Sequence, residues 1–343
     1  MRRALNGGPR LYRMVGCIGL CLNILAIVYI TFNMIYNVNP FHRSGQGCVR
    51  LETLDPNEVD MNKSIFFLET NRMPAVEIIP RQACSIESAA RANPDRQVYV
   101  LVLSPRLECT HNMTAVFRLI AHYKNVKIRH VDFYGYVSDT PAEAFVKSGT
   151  MDKGRWPVEQ HSDLLRLLTL WKFGGVYMDI DVVSLRPVPM ENFVIAEKPG
   201  PMLGSGVIGL QNKSIAARAI EMFIRGFVGD EWTQNGPFLI TSLTRAVCET
   251  DQLPDVNAGN ANCGDLTIYQ ADVFSPIPWY EWPKLFHETD DYAVMKALNN
   301  SVGVHFWNKM TKDQPILVGS MQPYAQIAAM YCPIVYGTAD EYL

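Results

Sequence analysis

Charge is scarce in this sequence. Only 19% of its 343 residues are Asp, Glu, Lys or Arg, the formal net charge is −3, and no long Lys/Arg block occurs beyond the N-terminus. The electrostatic footprint of a nucleic-acid binder is therefore missing. No two cysteines stand in a CxxC pair, which argues against a thiolate metal site. Internal repeats and low-complexity tracts are lacking too, so solenoid architectures are excluded. With 48% apolar residues the chain has enough to bury one large core or two modest ones, and disorder is excluded as its general state.

What is present begins at the N-terminus. Val15 to Tyr36 (VGCIGLCLNILAIVYITFNMIY) carries no ionised side chain, and one helix of that length crosses roughly 30 Å of hydrocarbon. Arg2, Arg3, Arg10 and Arg13 precede it and Arg43 is the first base after it, a bias that keeps the N-terminus cytosolic. The expected organisation is a cytosolic tail at 1–14, a transmembrane signal anchor at 15–36, a polar stem at 37–63 punctuated by Pro and Gly, and a lumenal catalytic domain at 64–343. A cleaved signal peptide is the rival, disfavoured by the length of the span.

Of the eight cysteines, Cys17 and Cys21 fall in that span, leaving Cys48, Cys84, Cys109, Cys248, Cys263 and Cys332 as an even set for an oxidising compartment. Short loops close most readily, which favours Cys84 with Cys109 and Cys248 with Cys263. Sequons at Asn62, Asn112, Asn212 and Asn299 are compatible with a lumenal domain, although each is also an ordinary polar turn.

From residue 65 the apolar pattern alternates. Runs at 65–70, 97–104 and 125–131 read as buried strands, and 84–94 and 113–123 as helices between them. Such alternation implies an α/β fold with a mostly parallel central sheet and helices on its faces. A helical stripe follows at 161–175, with Ser162 or Asp163 placed to cap its start and Gly174 to end it. Then comes VYMDID as a strand, 194–197 and 206–211 as further strands, 214–227 and 235–249 as helices, and a less regular C-terminal part.

The chemistry centres on GGVYMDIDVVSLRP, where Asp179 and Asp181 stand two residues apart. On a strand, Tyr177, Asp179 and Asp181 project to one face, and two such carboxylates repel each other unless something positive lies nearby. A salt-bridged strand end is the bland account. The pair, however, falls where a strand gives way to a loop, the sheet edge at which open α/β folds bind ligands. Carboxylate oxygens there suit Mg²⁺ or Mn²⁺, which would neutralise a departing diphosphate. Upstream, Asp163 and Arg166 share a helical face at i and i+3, the spacing of a surface ion pair as well as of a site.

The stretch SDLLRLLTLWKFGGVYMDIDVVSLRP has the form SDxxRxxxLxxxGGxYxDxDxxxLxP. With it the chain resembles the α-1,4-glycosyltransferases related to lactosylceramide 4-α-galactosyltransferase and α-1,4-N-acetylglucosaminyltransferase, from about residue 62 onward. FFLET, NGPFLIT and GVHFWNK are further landmarks of the likeness. The resemblance implies a Rossmann-like, A-type glycosyltransferase fold behind one N-terminal transmembrane helix in the Golgi membrane. It also implies a UDP-sugar donor (UDP-Gal or UDP-GalNAc), Mn²⁺ dependence, retention of the α configuration and a glycolipid acceptor similar to lactosylceramide. On that likeness Asp179 contacts the nucleotide sugar, Asp181 the metal, and Asp163 and Arg166 the donor's sugar and diphosphate, with Tyr177 among the donor contacts.

Other landmarks stay open on sequence alone. His305 is either a third metal ligand beside Asp179 and Asp181 or a satisfied core histidine. Trp307 either packs near the diphosphate or lies in the core. Asn235 either helps a helix N-terminus meet an oxygen-rich ligand or simply caps it. Gly204, Ser205 and Gly206 form either a turn near the sugars or a tight connection. No covalent nucleophile can be named, so front-face attack and double displacement both stand. The rival activities are transfer of N-acetylglucosamine to glycoprotein glycans and, more remotely, an aspartate-based phosphohydrolase, whose DxDx[T/V] letters Asp179 to Val183 also fit.

Overall fold

The computed structural model describes residues 49–343 apart from 109, 111–112, 256–258 and 289–291. The expected anchor at 15–36, Cys48, Cys109 and the Asn112 sequon lie outside the described residues. Among the described residues, no helix is long and apolar enough to cross a membrane.

The described residues hold twelve strands in chain order: β1 (Val49–Arg50), β2 (Ile65–Glu69), β3 (Val98–Val102), β4 (Arg106–Leu107), β5 (Val126–His130), β6 (Val176–Met178), β7 (Val182–Ser184), β8 (Phe193–Ala196), β9 (Leu203–Gly209), β10 (Ala261–Cys263), β11 (Leu266–Tyr269) and β12 (Gly303–His305). Eight of them form one sheet in the order β10-β11-β8-β9-β6-β2-β3-β5. The run from β6 through β2 and β3 to β5 is parallel, and so is β8 with β11. β9 is antiparallel to both of its neighbours, and β10 is antiparallel to β11. The expected mostly parallel sheet is therefore present, with β9 reversed in its middle. β7 and β12 make a separate antiparallel ribbon.

The longer helices are α1 (Pro80–Ala92), α2 (Met113–His122), α3 (Pro157–Phe173), α4 (Lys213–Gly226), α5 (Leu239–Val247) and α6 (Pro323–Tyr331). The strand pattern explains two cores. Ile65, Phe67, Val98 and Val100 enter one, while the intervening Phe66, Leu68, Tyr99 and Leu101 enter the other, which α3 and α4 cover. Both faces of the sheet are thus closed, which is why these strands read as continuous apolar runs. Each fully buried Phe or Ile contributes roughly 1.5–3 kcal/mol.

Several boundaries differ from expectation. Residues 49–63 are part of the folded unit, not stem: β1 pairs with β4, and Leu51, Leu54 and Val59 are buried. α3 begins at Pro157, whose fixed φ suits a first turn, so Ser162 and Asp163 lie inside the helix and do not cap it. The 235–249 helix is two elements, a π turn at Gln234–Phe238 followed by α5. Cys248 bonds Cys263 as expected, but Cys84 on α1 bonds Cys332, 248 residues away. Helix packing brings those two Cα atoms to 5.1 Å, overriding the advantage of a short loop.

Candidate active site

VYMDID is not one strand. β6 ends at Met178, and Asp179 to Asp181 form a turn in which the Val182 N–H donates to the Asp179 carbonyl at 3.0 Å. The chain enters β6 through Gly174 and Gly175, at φ +65° and +90°. A Cβ on Gly175 would stand 2.3 Å from the Ser64 carbonyl, so only glycine lets β6 slot beside β2. The two aspartates leave the sheet at the carboxyl end of β6 and face different partners.

Asp179 faces α3. The Tyr177 hydroxyl donates to its Oδ1, and Arg166 Nη1 lies 3.5 Å from the same oxygen. Arg166 also pairs with Asp163 at 3.0 Å, donates to the Ser205 carbonyl at 2.6 Å and stacks 4.7 Å over the Tyr177 ring. The i, i+3 pair read from the sequence is real, but it is buried and it is wrapped around Asp179. Burial pushes the Asp163 carboxyl up to about 6 despite Arg166. Burial also raises Asp179, again opposed by Arg166 and reinforced by the charge of Asp181. Tyr177 is raised well above its ordinary value by burial, so its phenol stays protonated and donates.

Asp181 faces the C-terminal part. Its Oδ1 lies 3.2 Å from His305 Nε2, its Oδ2 accepts from the Asn308 N–H at 2.6 Å, and its carbonyl accepts from the Phe306 N–H at 3.0 Å. Burial alone would raise its carboxyl, but His305 and the Asn308 N–H together hold it below the ordinary value. Conversely, burial would lower His305, yet Asp181, Asp179 and Glu197 bring it up to about 9. The β7–β12 ribbon makes this meeting possible, since His305 pairs with Val182 directly after the acidic turn.

Asp179, Asp181 and His305 each offer a ligand atom within 4.8 Å of the others. A Cβ on Gly206 of β9 would come within 2.9 Å of Asp179 Oδ2 and 3.1 Å of His305 Cε1. A bare glycine therefore borders the group, and two carboxylates with one imidazole are a donor set that fits a divalent cation.

The remaining expected residues fall elsewhere. Trp307 is buried, with its indole N–H given to the Ile277 carbonyl at 3.0 Å and its ring 4.0 Å from the His305 ring. It backs His305. The Asn235 amide is committed to the backbone of Val228 in both directions, at 3.1 and 2.7 Å, and so is not turned to a ligand. Tyr177 is buried beneath Arg166 and orients Asp179, so a direct donor contact does not describe it. The sequence reading passed over Glu197 and the Asn308 N–H. The signal for Glu197 was an apolar strand, VIAE, that ends on an acid at the sheet's edge.

A DxD turn at a mixed sheet's carboxyl edge, beside an acid–acid–histidine group, is what the resemblance to glycosyltransferases implies. Residues 80–199 match the family model "Glycosyltransferase sugar-binding region containing DXD motif", and residues 210–339 match "Alpha 1,4-glycosyltransferase conserved region". Lactosylceramide 4-alpha-galactosyltransferase of Mus musculus is 30% identical over 285 residues, 82% of this chain and 77% of its own length. Alpha-1,4-N-acetylglucosaminyltransferase of Homo sapiens is 28% identical over 303 residues, 87% and 84% of the two chains. Among solved structures, the galactosyltransferase LgtC with donor and acceptor sugar analogues aligns over 80% of this chain and 95% of its own, at 12% identity and a TM-score of 0.36. The chain belongs to the α-1,4-glycosyltransferase family and is a UDP-sugar-dependent hexosyltransferase.

Proposed function

We propose that the enzyme transfers galactose or N-acetylgalactosamine from its UDP-sugar to the terminal sugar of a glycosphingolipid, forming an α-1,4 bond with retention. It would do so on the lumenal side of the Golgi membrane, behind the anchor read at 15–36. The observation that carries the reading is the Asp179–Asp181–His305 group in a chain 30% identical to a lactosylceramide 4-α-galactosyltransferase.

Asp179, Asp181 and His305 would hold Mn²⁺, which when bound offsets the charge of the departing diphosphate. The chain's own residues prepare that site. Arg166 neutralises Asp163 and Asp179 from behind, the Tyr177 hydroxyl fixes Asp179 Oδ1, and the backbone N–H groups of Phe306 and Asn308 pin Asp181. Such preorganised groups stabilise developing charge without rearranging at the moment of reaction.

Two experiments test the reading. Asp181→Asn is expected to abolish Mn²⁺-supported transfer with the fold intact; unchanged turnover overturns the metal role. Assaying UDP-galactose, UDP-N-acetylgalactosamine and UDP-N-acetylglucosamine against lactosylceramide and a mucin-type glycan decides donor and acceptor. Transfer of N-acetylglucosamine to the mucin glycan would favour the second relative's activity.

A further inference from the structure

Tyr324, near the start of α6, is buried, and its ring stacks on Phe306 at a centroid distance of 3.6 Å and meets Phe286 edge-on at 5.6 Å. These contacts fix the ring, yet the hydroxyl at its tip has no hydrogen-bond partner among the described residues. A buried hydroxyl in that position costs stability unless something small reaches it. Burial raises the phenol above its ordinary value, so it keeps its proton and can donate, and the charges of Arg81 and Asp181 also act on it.

Tyr324 borders a cavity of about 10 Å³ whose walls include Arg81, Gln82, Asp181, Asn308 and Thr311. That volume is about the space of one water. Three of the polar side chains around it are committed elsewhere. The Arg81 guanidinium donates to the Thr311 carbonyl at 2.7 Å and to the Gln314 carbonyl. Gln82 accepts from the Ile79 N–H at 3.0 Å and donates to Glu69 at 3.1 Å, while the Thr311 hydroxyl donates to the Phe306 carbonyl at 2.8 Å. The Tyr324 hydroxyl is thus left as a donor. The Asp181 carboxylate is left as an acceptor, because its contacts with His305 and the Asn308 N–H do not use all of its lone pairs. A donor and an acceptor on one water-sized space, with no direct bond between them, are the setting of a water bridge.

We propose that one ordered water in this cavity accepts from the Tyr324 hydroxyl and donates to the Asp181 carboxylate, which makes Tyr324 a positioning residue for that acid. Its bearing on the cation rests on the reading of Asp179, Asp181 and His305 as the ligands, whereas the bridge itself does not.

Tyr324→Phe keeps the ring and removes the hydroxyl. In calorimetric titration with Mn²⁺ alone, its affinity is expected to fall about tenfold from the wild type, the lower end of what the loss of an outer-shell partner costs. In transfer assays the Mn²⁺ concentration for half-maximal rate should rise by the same factor, while turnover at saturating Mn²⁺ returns to within about twofold of the wild type. A packing role alone would not be rescued by the metal. Unchanged Mn²⁺ affinity, or a loss of turnover that Mn²⁺ does not restore, overturns the positioning role.

Two measurements judge the bridge without the metal. A high-resolution crystal structure of the wild type is expected to show a water within about 3 Å of both Tyr324 Oη and an Asp181 carboxylate oxygen, and its absence overturns the inference. The urea-unfolding midpoint of Tyr324→Phe without Mn²⁺ is expected to fall; an unchanged or raised midpoint marks a hydroxyl that had no partner and overturns it too. A wild-type chain that binds no Mn²⁺ sinks the functional reading, and the bridge then stands or falls on these two measurements.

Discussion

Asp179 and Asp181 are separated by one residue, yet they live in different halves of the molecule. The α3 side surrounds Asp179 with Asp163, Arg166 and Tyr177 and raises its carboxyl. The segment at 303–308 gives Asp181 an imidazole and backbone N–H groups and lowers it. Two histidines diverge in the same way. His161 on α3 is held down to about 4 by burial, with help from Arg72, while His305 rises to about 9 among acids. One side thus manages excess negative charge with a buried guanidinium, and the other with a histidine that a cation can replace as partner.

Removing that guanidinium should do the most damage. Arg166→Ala leaves Asp163 and Asp179 without their countercharge and is expected to cost about 3–5 kcal/mol, read from urea unfolding at pH 7. A cost under 1 kcal/mol would mean the two acids do not depend on it. On the opposite side, His305→Ala is expected to lower Mn²⁺ affinity by about 100-fold or more with little change in unfolding midpoint, since even outer-shell losses cost 10–100-fold. Equal Mn²⁺ binding by calorimetry would remove His305 from the ligand set.

The acid limb of stability separates the histidines further. His161 must gain a proton on unfolding below its ordinary value of 6.5, so its contribution is whole above that pH and lost as pH falls toward about 4. His161→Phe should match the wild type above pH 6.5 and lose less stability below it, measured as a pH series of urea unfolding. The smallest effect belongs to Tyr177→Phe, which removes one hydrogen bond to Asp179 and should lower kcat/KM about tenfold or less. A much larger loss would give the phenol a direct part in the chemistry.

The same division marks how far the sequence could be read. The parallel run formed by β2, β3 and β5 was legible because β2 and β3 are buried on both faces, β5 alternates between core and surface, and a helix spaces each from the next. Asp163 and Arg166 were legible because they stand one helical turn apart on α3, and the two aspartates because they close an apolar strand, although a turn and not strand alternation sets where each one faces. His305 was visible only as one of two alternatives, since its meeting with Asp181 depends on a ribbon closed across more than a hundred residues. Asn235 stayed open between two roles because its amide answers the backbone of Val228, a contact that no local pattern announces. The bond between Cys84 and Cys332 was hidden for the same reason.

That last bond has a partner in Glu87 on α1, which accepts from the N–H groups of Ile334 and Val335 at 2.9 and 2.8 Å. Together they fasten residues 332–335 to α1, beyond the stretch that carries His305. All eight strands of the central sheet lie before residue 270, whereas the imidazole that meets Asp181 arrives on a later ribbon. The acidic turn is thus built by one stretch of chain and completed by another, whose seating on α1 the disulfide and Glu87 hold from its far side.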